Sequence, residues 1–208
     1  MKIIHSSGVH KITVIILHGF NQDISEMEYI SNLINKEHDL IKWVILEGED
    51  MKWYDYYTYR DNHNRHDKIN YDQFKYSCEY LKKIIQRELI DIDCNNLYLV
   101  GISQGGTICI NTTIGLNCIL GGTICIDTIF LSDYMSDISF VEQVFYVLIS
   151  KKDTVYNPKF QNTCYNLLRF FGNKIHFTKR DAQHCESTTY ICNYIKGILQ
   201  KNKLLKKL

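Results

Sequence analysis

The stretch that most restricts how this chain can fold is Leu97-Tyr98-Leu99-Val100-Gly101-Ile102-Ser103-Gln104-Gly105-Gly106. Its first residues are bulky and apolar, as in a buried strand, and they run without a break into Gly-x-Ser-x-Gly, the pattern of a nucleophile elbow. The spacing is steric in origin. A serine on a sharp strand-to-helix turn takes a strained backbone conformation, tolerable only if the positions two before and two after it carry no side chain, hence Gly101 and Gly105. Such a turn projects the Ser103 hydroxyl from the end of a sheet, with the first amides of a helix behind it to favour developing negative charge.

The flanking sequence alternates between strand and helix. Residues 11–17 are a continuous β-branched run, as expected of a strand buried on both faces of a parallel sheet. Residues 24–36 place Ile24, Met27, Ile30, Leu33 and Ile34 at helical spacing, with Ser25 and Glu28 as a capping box. Residues 41–46 are strand-like, and Phe74, Cys78, Leu81, Ile84, Ile85 and Leu89 mark a helix over residues 71–90. After the elbow strand the pattern predicts a helix over 104–114, strands over 123–126 and 143–149, a helix from Pro158 to residue 171, a short strand over 175–178 and a closing amphipathic helix over 188–203. The fold class is therefore α/β: a mostly parallel central sheet of about six to seven strands flanked by helices, in one domain spanning residues 1–208 with no separate lid domain. Residues 47–70 have no periodicity and are crowded with Trp53, Tyr54, Tyr56, Tyr57, Tyr59, His63 and His66; a loop of that length is functional or mobile.

Charge excludes one class of function. With 24 basic and 23 acidic residues the net charge is +1, and a polyanion binder would show a basic excess, so no nucleic-acid partner is expected. The eight cysteines form no Cys-x-x-Cys pair, and several sit inside apolar runs, as in Ile108-Cys109-Ile110. They read as free thiols in a reducing, cytoplasmic compartment. The first residues, broken by His5, Ser6, Ser7 and Gly8, read as neither a membrane-spanning segment nor a cleavable leader, and residues 201–208 as a solvated helix end.

A serine hydroxyl needs a base to take its proton and a group to orient that base. Ligands bind beyond the carboxyl ends of the strands in such folds, so the loops after the strands are the place to search. Asp153 follows the 143–149 strand and His184 follows the last short strand, which gives the chain order Ser103, Asp153, His184 of α/β-hydrolases. Asp127, after the preceding strand, is the rival acid. His176 reads as a packed or surface residue within a strand, and His63 with His66 lacks the further ligands a metal site needs, so no metal is expected. For the oxyanion, the Gln104 amide comes with the elbow, and the Phe20 amide is the second donor, with Gly19 letting the backbone approach.

These residues together resemble the phospholipase/carboxylesterase family of α/β-hydrolases that contains the acyl-protein thioesterases. The resemblance runs through His18-Gly19-Phe20, Trp53-Tyr54-Asp55, Gly101-Ile102-Ser103-Gln104-Gly105-Gly106, Asp153-Thr154-Val155 and Gln183-His184 in order. It implies a serine esterase or thioesterase with Ser103, Asp153 and His184 as its triad and no cofactor. It also implies that the aromatic segment from Trp53, with Tyr54 and Tyr56, lines an acyl-binding channel beside Gly19. The expected substrate is a small-molecule or acylated-protein ester or thioester, with no integral membrane segment and a weak dimer as the self-association left open. The other readings are a lysophospholipase or small peptidase of the same fold and, outside enzymes, an idle hydrolase-like binding domain.

Overall fold

The computed structural model describes residues 1–36, 40–56, 69–134 and 142–201. Tyr57, Tyr59, His63 and His66 of the aromatic loop lie outside the described residues, as does the tail from Asn202. The elements follow in the order β1 (Lys2–Ile4), β2 (Ile12–Leu17), α1 (Ile24–Asn35), β3 (Ile41–Leu46), α2 (Tyr71–Glu88), β4 (Leu97–Ile102), α3 (Gln104–Thr113), β5 (Gly122–Ile126), β6 (Val144–Ser150), α4 (Pro158–Phe170), β7 (Lys174–Arg180) and α5 (Thr188–Leu199). Seven strands form one sheet in the order β1-β3-β2-β4-β5-β6-β7, parallel throughout except for β1. The expected α/β architecture is the one observed.

The hydrophobic pattern explains the layering. β2 is buried at every position. Its Val14 and Ile16 face α1 and α5 through Met27, Ile30, Ile34, Ile191, Ile195 and Ile198. Its Ile15 and Leu17 face the opposite side, where Phe74, Leu81 and Ile85 of α2, Ile108 of α3 and Tyr165 and Leu168 of α4 complete a second core. An uninterrupted β-branched run is what a strand covered on both faces requires. α3 is rich in Thr and Ile, poor helix formers, yet almost every residue in it is buried, so packing holds it.

Strand order places the site. The chain passes from β2 to β3 on one side and then returns past β2 to β4 on the other. The crevice at the carboxyl ends of β2 and β4 is therefore a topological switch point, where α/β sheets bind ligands. β2 ends at Leu17, just before His18 and Gly19, and β4 ends at Ile102, just before Ser103.

The structure adds one strand at the edge of the sheet and corrects two local expectations. The N-terminal residues are an edge strand whose Lys2 pairs with Ile45, too short to leave a periodic signal. Helix α1 is capped by Asp23, whose carboxylate accepts the Ser25 amide at 2.7 Å, while Glu28 reaches Lys2 at 2.6 Å instead of closing a capping box. The cysteines are not all free thiols: Cys94 and Cys118 are bonded to one another. These two residues lie in the segments that lead into β4 and β5, parallel neighbours that start at the same edge of the sheet, which brings them together. The thiol argument for a reducing compartment loses its basis at this pair. Among the described residues no helix is long and apolar enough to cross a membrane.

A disulfide closing a loop of 24 residues stabilises a domain by about 3 kcal/mol, chiefly by restricting the unfolded chain. Replacing Cys94 and Cys118 together by Ser should lower the urea-unfolding free energy by about that amount. Added reductant should reproduce the loss in the wild type and leave the double variant unchanged.

Candidate active site

The elbow is built from backbone collisions that only glycine avoids. Ser103 sits at φ 49° and ψ −117°, between the end of β4 and the start of α3. A Cβ on Gly101 would stand 2.3 Å from the Gly106 Cα, and one on Gly105 would stand 2.4 Å from the His18 carbonyl oxygen. The strained serine is held by its amide, which donates to the Ile126 carbonyl at 2.9 Å, and by α3, whose Gly106 amide returns to the Ser103 carbonyl at 3.0 Å.

Three side chains meet here from three loops. The Ser103 Oγ lies 2.9 Å from His184 Nε2, and His184 Nδ1 lies 2.7 Å from Asp153 Oδ2. The Asp153 carboxylate is buried and serves as an acceptor throughout: Val155 N and Tyr156 N donate to Oδ1 at 2.7 and 2.8 Å, and Gln161 Nε2 donates to Oδ2 at 3.0 Å. With donors on every side, the carboxylate leaves Nδ1 of His184 to donate and Nε2 to accept from the serine hydroxyl. Asp127 lies close by but holds other partners. Its buried carboxylate accepts the Ser150 amide and hydroxyl, a guanidinium nitrogen of Arg180 and the Cys185 amide. Asp153 is thus the carboxylate on the His184 ring. Ligand atoms of Asp127, His184 and Cys185 lie within 4.8 Å of one another, but both His184 nitrogens and both Asp127 oxygens already hold the partners named, which a cation would have to displace.

The loop after β2 presses against Ser103. A Cβ on Gly19 would lie 3.3 Å from that of Ser103, and the Gly19 amide donates to Gln22 Oε1 at 2.8 Å. His18 is buried behind it as a neutral ring, its Nδ1 donating to the Gly19 carbonyl at 2.7 Å and its Nε2 accepting the Gly48 amide at 2.9 Å. Burial lowers its pKa in keeping with that role.

Trp53 and Tyr54 are placed behind this loop, with 4% and 1% of their surface exposed. The Trp53 indole donates to the His18 carbonyl at 2.8 Å. The Gln104 side chain acts as a surrogate peptide: its Oε1 accepts the Trp53 amide at 2.8 Å and its Nε2 donates to the Tyr54 carbonyl at 2.7 Å. Tyr56 is linked to His184 through Tyr156. Its hydroxyl meets that of Tyr156 at 2.6 Å, its ring meets Phe20 edge-on at 5.7 Å, and the Tyr156 ring meets His184 edge-on at 5.6 Å. A cavity of about 1140 Å³ opens between residues 47–55 and α2; Trp53 and Tyr54 line it, whereas Ser103 and His184 do not. His176 of β7 stacks on Tyr146, its register partner in β6, and makes no part of this hydrogen-bonded line.

Sequence reasoning missed Gln161, Tyr156 and the pair of hydrogen bonds between the Gln104 side chain and the aromatic loop. Gln161 sits in the first turns of α4, eight positions beyond Asp153, and no local pattern marks such a contact.

The sequence profile of the Phospholipase/Carboxylesterase family matches residues 1–201. Among solved structures the chain resembles esterase PE8 (15% identity, TM-score 0.80, 96% of this chain and 97% of that one). It also resembles SOBER1 of Arabidopsis thaliana (16% identity, TM-score 0.77, covering 92% and 98%) and acyl-protein thioesterase 2 of Zea mays (16% identity, TM-score 0.69, covering 95% and 98%). No curated protein sequence matches it. At such identities the structural likeness speaks for the α/β-hydrolase fold, and the family rests on the profile match along nearly the whole length: the chain belongs to the Phospholipase/Carboxylesterase family.

Proposed function

We propose that the protein is a serine hydrolase of carboxylic esters or thioesters, working through Ser103, His184 and Asp153 as a single domain without a cofactor. The observation that carries this reading is the unbroken hydrogen-bonded line from Ser103 Oγ through both His184 nitrogens to Asp153, at the switch point of the sheet. Ser103 Oγ attacks the acyl carbonyl and its proton passes to His184 Nε2. The carbonyl oxygen, now an anion, takes hydrogen bonds from the Phe20 and Gln104 amides, the latter at the positive end of α3. The tetrahedral intermediate collapses, the bond to the leaving oxygen or sulfur breaks, and that atom takes the proton from His184. Water then gives a proton to Nε2 and its hydroxide equivalent attacks the acyl-serine; collapse releases the carboxylic acid and returns the proton to Ser103. Asp153 keeps the ring in the required tautomer and balances the imidazolium charge.

Gly19 and Tyr56, with Phe20 and Tyr156 beside them, border the acyl group in this reading. Trp53 and Tyr54 act from behind, fixing the loop that carries Phe20. A lysophospholipase or small peptidase would use the same line of bonds, so the leaving group is decided by rates on oxygen esters, thiol esters and amides of matched acyl chains.

A fluorophosphonate should label the wild type at Ser103, and Ser103→Ala should abolish both labelling and ester turnover while melting as the wild type does. Retained turnover in a folded Ser103→Ala protein would falsify the proposal. Asp153→Asn should keep the fold and lower kcat by about 10⁴-fold, because the amide favours the wrong tautomer of the histidine.

A second expectation concerns the surrogate peptide. Gln104→Leu strips partners from the buried Trp53 N–H and Tyr54 C=O, each costing about 1–3 kcal/mol when left bare. The variant should lose about 2–4 kcal/mol in urea unfolding, and its kcat should fall because the loop bearing Phe20 is no longer tied to the elbow.

A further inference from the structure

Apart from Asp153, one buried carboxylate at the active-site end of the sheet has no part in the mechanism above. We infer that Asp127 is a positioning residue, which sets the height and direction of the histidine loop by gathering the carboxyl ends of β5, β6 and β7 onto one carboxylate. The inference rests on the Ser103–His184–Asp153 reading and adds to it the group that holds the base in place.

The geometry is specific to that task. Asp127 directly follows β5 and has no exposed surface. Its Oδ1 accepts the Ser150 amide at 2.6 Å. Its Oδ2 accepts three further donors: the Ser150 hydroxyl at 2.7 Å, Arg180 Nη2 at 3.2 Å and the Cys185 amide at 2.8 Å. Ser150 is the last residue of β6 and Arg180 the last of β7, so each of the three strands contributes its end. Arg180 closes the figure, its Nε donating to the Ser150 hydroxyl at 2.9 Å and its Nη1 to the Glu186 carbonyl. The two main-chain points so fastened, Cys185 N–H and Glu186 C=O, follow His184 immediately. Cys185 itself is held at φ 51°, a conformation a non-glycine residue keeps only when its surroundings impose it.

The same turn also registers the nucleophile. Ile126, the residue before Asp127, accepts the Ser103 amide at 2.9 Å, while Asp127 adopts φ 44° and its own amide donates to Leu148 at 2.9 Å. Residues 126 and 127 therefore hold Ser103 on one side and the chain after His184 on the other, and the 2.9 Å separation between Ser103 Oγ and His184 Nε2 is set between them. A charge is suited to this use. An ionised carboxylate accepts four bonds at once, and Arg180, with 6% of its side chain exposed, balances it within the protein. An amide in its place would offer one acceptor oxygen to the loop and would present N–H donors where Asp127 now meets only donors.

Misplacing a base by a fraction of an ångström slows proton transfer with little effect on ground-state binding. The test is the kinetics of Asp127→Asn on a short-chain nitrophenyl ester, with active sites counted by a fluorescent fluorophosphonate. The expected result is a full complement of slowly labelled sites, kcat per site lower by about 10- to 100-fold and KM within about 2-fold of wild type. Loss of folded protein alone would reduce the number of sites and leave the rate per site unchanged, and that outcome overturns the inference. So does a loss as deep as that of Asp153→Asn measured in parallel, which would make Asp127 the acid of the triad. If Asp127→Asn does not accumulate folded, Ser150→Ala carries the test: it removes one donor from Asp127 and one acceptor from Arg180, and should slow kcat per site by about 3- to 10-fold. A Ser150→Ala rate per site equal to wild type overturns the inference as well. Absence of wild-type labelling at Ser103 would bring down the triad reading and this one together, whereas normal wild-type labelling with an unaltered Asp127→Asn rate brings down this one alone.

Discussion

The backbone conformation at Ser103 is the constraint on which the rest of the site depends. A non-glycine residue at φ 49° and ψ −117° costs on the order of 1–3 kcal/mol, which its surroundings must offset. They do so through close packing. The bare Cα atoms of Gly101 and Gly105 let α3 lie against the ends of β4 and β2, and the buried residues of α3 hold it there. Because Gly105 rests on the His18 carbonyl, the contact that stores the strain also fixes the loop carrying Gly19 and Phe20 relative to the serine. The Trp53 indole donates to that same carbonyl, so three segments distant in sequence share one oxygen as their reference point.

Two buried carboxylates near one histidine would repel each other and compete for it unless each were satisfied separately. The structure separates them by the lengths of the loops that bear them. Asp127 follows its strand with no intervening residue and is met by the neighbouring strand ends, including a guanidinium. Asp153 stands beyond Lys151 and Lys152, far enough out for its Oδ1 to cap the turn leading to α4 and its Oδ2 to face the imidazole. Burial is affordable in both cases because every oxygen has donors, the condition under which a carboxylate is tolerated away from water.

What could be read from the residues, and what could not, follows the range of the interactions involved. The β-branched run of β2, the apolar run of β4 and the glycines of the elbow are local signals, and they located the sheet and the turn at Ser103. The three-residue β1 is stabilised by backbone pairing to β3 and carries no periodicity of its own. The Cys94–Cys118 bond depends on β4 and β5 being neighbours, which no cysteine spacing encodes. Chain order favoured Asp153 but kept Asp127 as a rival because both follow strands; the side-chain geometry distinguishes a carboxylate on the His184 ring from one on the main chain beside it. For Trp53 and Tyr54 the family resemblance implied an acyl-channel lining, whereas the structure shows their main-chain groups held by Gln104, a contact no local pattern marks.

The two ends of the sheet are stabilised by different means, and the division bears on function. At the end where the strands begin lie the Cys94–Cys118 bond and the buried Glu88, which pairs with Lys42 at 2.7 Å and meets the Thr13 hydroxyl at 3.5 Å. At the end where the strands finish are all seven non-glycine residues of positive φ among the described residues, Asn21, Asp50, Met51, Ser103, Asp127, Cys185 and Ser187, and the dense polar bonding around His184. Strain and buried charge are costly, and placing them together at one end requires the remainder of the fold to supply the stability they consume. Ties at the opposite end do so without restricting the loops that carry Ser103 and His184. The ties at the beginning of the strands and the strained, polar turns at their ends are thus carried by separate residues, joined through the sheet.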